Sequence, residues 1–304
     1  MICIYHNKDL DGYTSGAIVA KWHDEINDYP DNVGKGELKL IGYDYSEKFP
    51  WDQIPAGEKI IMIDVSLKMP EMCKLSVHSG QQLTWIDHHI SAINEYNNYK
   101  DSELAMITAV LQDGIAACEI GWEYFFNKIE IPKSVKLLGK YDTWRNNDKV
   151  EWNNEILPFQ FGMRQICNSP ESFPSILFQH PELSFHKIEQ IINNGNAIVN
   201  YQESVNESLC KKSAFETEFE GYRAICLNAG MISNETFKSV YDETKHDIMV
   251  GFQFDGNTWT FSLRATKAEV NCSEIAKKHG GGGHKGAAGF QSKNLIDILV
   301  LAQN

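Results

Sequence analysis

The chain has 304 residues, 42% hydrophobic and 23% charged, enough for one large domain or two ordinary ones with a sizeable core. Its 41 acidic residues outweigh 28 basic ones, a net charge of −13 with no Lys/Arg-rich run. That balance argues against a protein gripping long duplexes through their phosphates, yet leaves room for a short phosphorylated ligand at one site.

The first ~145 residues alternate between β-like and helical runs. "MICIYH" predicts a strand and "GYTSGAIVAKWHDEI" a helix; "LKLIGYDY" and "KIIMIDVS" predict strands, "KMPEMCKLSVHSG" a helix and "LTWIDHH" another strand. Strands alternating with helices predict an α/β fold with a parallel, doubly wound sheet. Mostly helical segments follow, "SELAMITAVLQDGIAACEIGWEYFF" and "PKSVKLLGKYDTW", and residues 184–213 predict one long polar helix. From about residue 216 the character turns β-rich, with "DGN" a hairpin turn between "DIMVGFQFDG" and "TWTFSLRAT", and then a helix, "NCSEIAKKH", running into "GGGGHKGAAGF". The expected organisation is an α/β domain over 1–185, a helical linker over 186–215 and a smaller α+β domain over 216–304. No run approaches the ~18 apolar residues of a membrane helix. The absence of a signal-peptide pattern, and seven scattered cysteines with no C-x-x-C pair, point to a cytoplasmic protein without disulfides or a zinc knuckle.

In doubly wound folds ligands sit beyond the carboxyl ends of the strands. Chemistry-bearing residues gather at four places where a strand ends or a helix turns. "CIYH" leads into His6, Asp9 and Asp11; "IIMID" ends at Asp64; "LTWID" ends at Asp87, His88 and His89; and "GKYD" supplies Asp142. Taken singly, each is as readily a helix cap or a surface pair; together they make a set. Carboxylates and imidazoles without thiolate suit Mn²⁺ or a similar divalent ion, and their number is enough for two ions sharing a carboxylate. Such a pair clamps a phosphoryl group and activates water. Gly12 is expected to let the chain turn sharply beside this cluster.

The order H-x-x-D-x-D-G, strand-end D, D-H-H and a later D resembles the DHH phosphoesterase superfamily. "GGGGHKGAAGF" resembles the GGGH signature of that family's associated C-terminal domain. The resemblance covers nearly the whole chain, with Asn7 and Lys8 alone separating His6 from Asp9 where many members have one residue more. It implies that His6, Asp9 and Asp64 hold one Mn²⁺ and that Asp11, Asp64, His88 and Asp142 hold the other, Mg²⁺ or Co²⁺ being able to substitute. It further implies that Asp87 orients the cluster and that His89 acts at the scissile phosphate.

Gly281, Gly282 and Gly283, with no Cβ, can bring backbone N–H groups to a phosphate, and His284 and Arg264 complete the candidate substrate grip. Trp144 and Arg145 in "YDTWR" read as packing. The branch resembled is that of the oligoribonuclease (nanoRNase) and 3′-phosphoadenosine-5′-phosphate phosphatase enzymes, which implies a short oligonucleotide or nucleotide substrate and allows a homodimer. A cyclic-dinucleotide phosphodiesterase is the alternative within this class. A nucleotide-binding sensor without hydrolysis is the alternative outside it, and the full set of carboxylates favours the enzyme.

Overall fold

The computed structural model describes residues 1–27, 36–99, 106–230, 232–283 and 285–295. The chain divides into two compact units, Met1–Val199 and Asn200–Asn304. In the first, β1 (Ile2–His6), β2 (Lys39–Tyr43), β3 (Ile60–Ile63), β4 (Leu83–Asp87) and β5 (Ile107–Leu111) form one sheet in the order β2-β1-β3-β4-β5. Every neighbouring pair is parallel.

A parallel sheet is stable when both faces are covered. In β1 the alternation is visible residue by residue. Ile2 and Ile4 enter one core with Met62 and Trp85, while Cys3 and Tyr5 enter another with Ile61, Ile63 and Ile86. The helices of this unit are α1 (Leu10–Asn27), α2 (Met69–His78), α3 (Ile90–Asn98), α4 (Ala117–Phe125) and α5 (Lys133–Asp142). After them α6 (Lys149–Glu151) passes through a π turn (Trp152–Ile156) into α7 (Leu157–Met163), and α8 (Pro181–Ser213) follows. Helix α1 packs against α4, and both share a third core with α5, α7 and the first half of α8.

One predicted element is corrected. The stretch expected to be helical from 102 to 126 contains β5 at Ile107–Leu111, and only Ala117–Phe125 is helix. "ITAVL" is a short apolar run with β-branched residues, and pairing along the whole of β4 outweighs its weak helical preference. Residues 102–105 lie outside the described residues.

In the second unit β6 (Ala214–Phe219), β7 (Tyr222–Leu227), β8 (Ile248–Phe254), β9 (Trp259–Arg264), β10 (Gly282–Gly283) and β11 (Ala287–Ser292) form a mixed sheet in the order β10-β11-β9-β8-β7-β6. Helix α9 (Cys272–Lys278) packs on it through Cys272, Ile275 and Ala276. The hairpin at "DGN" forms as expected, with the Asp255 carboxylate accepting from the N–H groups of Asn257 and Thr258 at 2.8 and 2.7 Å. Among the described residues no helix is long and apolar enough to cross a membrane.

Candidate metal centre

The strand order places a topological switch between β1 and β3: the chain leaves β1 toward β2 on one side and returns at β3 on the other. Loops diverge at such a point and leave a crevice beyond the strand ends. His6 is the last residue of β1, Asp64 follows the last residue of β3, and Asp87 ends β4. Tyr5 pairs with Ile63 and Ile63 with Ile86, so His6, Asp64 and Asp87 stand level across three strands.

The side chains converge there. His6 Nδ1 lies 3.1 Å from Asp9 Oδ2 and 3.6 Å from Asp64 Oδ2. His88 Nε2 lies 3.3 Å from Asp64 Oδ1, 3.6 Å from Asp11 Oδ2 and 3.4 Å from Asp142 Oδ2. Asp64 thus turns one oxygen to each side. Three clusters have ligand atoms within 4.8 Å of one another: His6–Asp9–Asp64, Asp11–His88–Asp142 and Asp64–His88–His89. The shorter spacing from His6 to Asp9 still brings both to one point.

Two observations show that these residues suit divalent cations. His6 Nδ1 and Asp64 Oδ2 are buried and lack a hydrogen-bond partner, an arrangement that is costly unless something else binds them. Four carboxylates are also crowded together. Burial and the charge of Asp64 push the Asp11 carboxyl up to about 8, and burial and the charge of Asp11 push Asp142 up to about 7. Burial, then the charge of Asp9, raises Asp64 as well. Burial pulls the two imidazoles down. The carboxylates outweigh it, Asp64 foremost, and lift His6 to about 11 and His88 to about 10. Such a site takes up positive charge, and its oxygen and imidazole donors suit Mn²⁺ or Mg²⁺ better than a thiophilic ion.

Other groups hold these side chains in place. Asp87 is fully buried, and its Oδ1 accepts from the backbone N–H groups of His88 and His89 at 2.7 and 3.1 Å and from His89 Nδ1 at 2.7 Å. Asp87 thereby orients His89, while its own carboxylate lies outside the three clusters. Asp11 accepts from Ala117 N at 2.9 Å and Cys118 N at 2.8 Å, at the start of α4, where the helix dipole favours negative charge. Asp64 itself has a left-handed backbone with φ 61°, which is rare for a residue with a Cβ and is the kind of strain that collects at working sites.

Gly12 does not form the expected sharp turn. It lies in the first turn of α1, and a Cβ there would sit 1.9 Å from the His6 carbonyl oxygen. Its role is close packing of helix on strand.

Sequence reasoning passed over Asp44, which follows the last residue of β2. Its Oδ1 faces His6 Nε2 at 3.4 Å, and its Oδ2 lies 3.9 Å from Lys8 Nζ. A carboxylate on the far nitrogen of a ligating histidine fixes the ring and its tautomer. The signal was an aspartate at a strand end, the same as for Asp64.

In the second unit, register brings Arg264 and the glycines to one end of the sheet, since Arg264 pairs with Ala287 and Gly283 with Ala288. The Arg264 guanidinium donates to the carbonyls of Leu263 and Ile232 at 3.2 and 3.3 Å. Two of the glycines are needed by the fold: a Cβ on Gly281 would lie 2.2 Å from Gly289 O, and one on Gly283 would lie 2.6 Å from Ala288 Cα. Gly282 is exposed, with nothing within 4 Å of where its Cβ would be. His284 lies outside the described residues.

Residues 1–139 match the DHH family, N-terminal domain, and residues 228–303 match the DHHA1 domain. The oligoribonuclease NrnB of Bacillus subtilis (strain 168) is 22% identical over 316 residues, an alignment covering 100% of this chain and 76% of that protein. An uncharacterized protein of Acanthamoeba polyphaga mimivirus is 22% identical over 318 residues, covering 98% of this chain and 69% of its own. Among solved structures, an exopolyphosphatase-related protein from Bacteroides fragilis has a TM-score of 0.53 at 13% identity, over 97% of this chain and 87% of that one. That last likeness is one of fold. With both of the superfamily's domains in their expected order, this chain belongs to the DHH phosphoesterase superfamily.

Proposed function

We propose that this chain is a Mn²⁺-dependent phosphodiesterase that hydrolyses short oligoribonucleotides or dinucleotides. The observation that carries the reading is the convergence of His6, Asp9, Asp11, Asp64, His88 and Asp142 at the β1/β3 switch, with Asp64 facing both sides. Similarity to an oligoribonuclease along the whole chain supports the substrate class. A pair of divalent ions held there would clamp the phosphoryl oxygens and lower the pKa of an attacking water.

The protein's own groups then have definable tasks. Asp87 holds His89 by Nδ1 and so fixes its ring beside Asp64 and His88, where it would act on the scissile phosphate. Burial opposes charge on His89, but Asp87 outweighs it and raises the imidazole above its usual value, so it can donate a hydrogen bond or a proton to the leaving oxygen. Phosphate or end recognition falls to Arg264 and the backbone at Gly281–Gly283, with His284 beside them in sequence. The charge of −13 disfavours long strands, so rates should fall with length beyond about five nucleotides.

The test is hydrolysis of pApA, short RNA, 3′-phosphoadenosine-5′-phosphate, cyclic di-AMP and pyrophosphate with Mn²⁺. Release of mononucleotides from pApA and short RNA is expected. Preference for pyrophosphate or the cyclic dinucleotide, or equal kcat/KM on a dinucleotide and a long strand at low salt, would overturn the assignment.

A further inference from the structure

Asp142 is the last residue of α5, and the chain after it is built at local cost. Arg145 N donates to Lys140 O at 2.9 Å and Trp144 N to Tyr141 O at 3.2 Å, the paired bonds that close a helix with a left-handed residue. That residue is normally glycine. Here it is Trp144, with φ 55°.

Arg145 then reaches back across the fold. Its Nε donates to Thr143 Oγ1 at 2.8 Å, and its Nη2 donates to Glu119 Oε2. Glu119 is buried, 4% exposed, in the first turn of α4. Room for its carboxylate comes from Gly139 in the middle of α5, where a Cβ would sit 2.3 Å from Glu119 Oε2. A glycine inside a helix is less favourable than alanine. In the pair, Glu119 must give up its hydration while Arg145 stays a third exposed, so the ion pair is weak evidence of a gain in stability. An interior glycine and a left-handed tryptophan lie within three residues of Asp142, the arginine beside them pairs with the buried Glu119, and stability alone gives no reason for them.

Geometry does. Three consecutive residues of α4 serve one cluster, two directly and one through Arg145. The N–H groups of Ala117 and Cys118 hold Asp11, and the Glu119 side chain holds the arginine that follows Asp142 by three residues. We propose that the Glu119–Arg145 pair is a positioning device that sets Asp142 against Asp11. Cation binding at Asp11–His88–Asp142 then depends on it, and binding at His6–Asp9–Asp64 does not. The inference rests on the reading that both clusters hold divalent cations.

The experiment is calorimetric titration of chelator-stripped protein with Mn²⁺, with free Mn²⁺ followed by electron paramagnetic resonance. It compares wild type with Arg145→Ala, Arg145→Lys and Gly139→Ala, each checked for folding by circular dichroism. Wild type should bind two equivalents. Arg145→Ala and Gly139→Ala should keep one equivalent near wild-type affinity and weaken the other by ~10–100-fold, as loss of a group supporting a ligand does. Arg145→Lys keeps the charge but lacks the planar fork that bonds Thr143 and Glu119 from two nitrogens, so it should fall between, and it carries the test with Gly139→Ala if Arg145→Ala does not fold. Two equivalents at wild-type affinity in the variants, or equal weakening of both, would overturn the inference. Failure of the wild type itself to bind Mn²⁺ would overturn the reading beneath it.

Discussion

Raising the pH should weaken the cation-free protein, and a divalent cation should reverse the effect. The folded protein holds the Asp142 carboxyl at about 7 and Asp11 at about 8, against the usual 3.8. As pH rises past 3.8 the unfolded chain releases these protons while the fold retains them, so stability is lost from there up to the folded values. His6 and His88 act in the same direction. Their carboxylate neighbours keep them charged, a stabilisation fully present below 6.5 and lost as pH rises through about 10 and 11. Asp142 is partly open to solvent, and screening cuts what its gap of about three pH units contributes to ~1–2 kcal/mol. In a unit of this size that is a fall in Tm of ~2–8 °C, most of it between pH 5 and 8. The assay is thermal unfolding of chelator-stripped protein at pH 5, 6, 7 and 8, with and without Mn²⁺. The cation should raise Tm far more at pH 8 than at pH 5, and Asp64→Asn should flatten the cation-free slope by removing a charge beside Asp11. A cation-free Tm that is level or rises toward pH 8 would refute the crowded-carboxylate argument.

Gly12→Ala should destabilise the first unit by about 1–3 kcal/mol or more, because its Cβ meets the His6 carbonyl at 1.9 Å, and denaturant unfolding measures the loss. Asp44→Ala should weaken Mn²⁺ binding at His6–Asp9–Asp64 by ~10–100-fold through loss of the carboxylate facing His6 Nε2, as read by calorimetry. His89→Ala should chiefly lower kcat, whereas Arg264→Ala should chiefly raise KM for nucleotides, by the equivalent of ~1.5–3 kcal/mol for a charged hydrogen bond. Steady-state kinetics showing the reverse pattern would mean that the two roles are exchanged.

The cluster was legible because its members sit at sequence-local landmarks. A short apolar strand announces where it ends, and His6, Asp64 and Asp87 stand at such ends. What could not be read depends on contacts far apart in the chain. The N–H groups that hold Asp11 lie 106 and 107 residues away at Ala117 and Cys118. Gly12 resembles a turn glycine until α1 is laid against the β1 carbonyls. Strand β5 has four apolar residues in five and is followed within six by a helix, so periodicity alone merges the two. Arg145 reads as packing because its partner Glu119 is hidden on another helix.

The central claim is that divalent cations held around Asp64 drive hydrolysis of a short oligoribonucleotide. It is tested most directly by pApA turnover during Mn²⁺ titration of chelator-stripped wild type and Asp64→Asn. The account predicts no wild-type turnover without cation, saturation once two equivalents are bound, and no detectable turnover by folded Asp64→Asn at any Mn²⁺ concentration. Wild-type turnover that persists in chelator, or an Asp64→Asn variant of near wild-type rate, would contradict it.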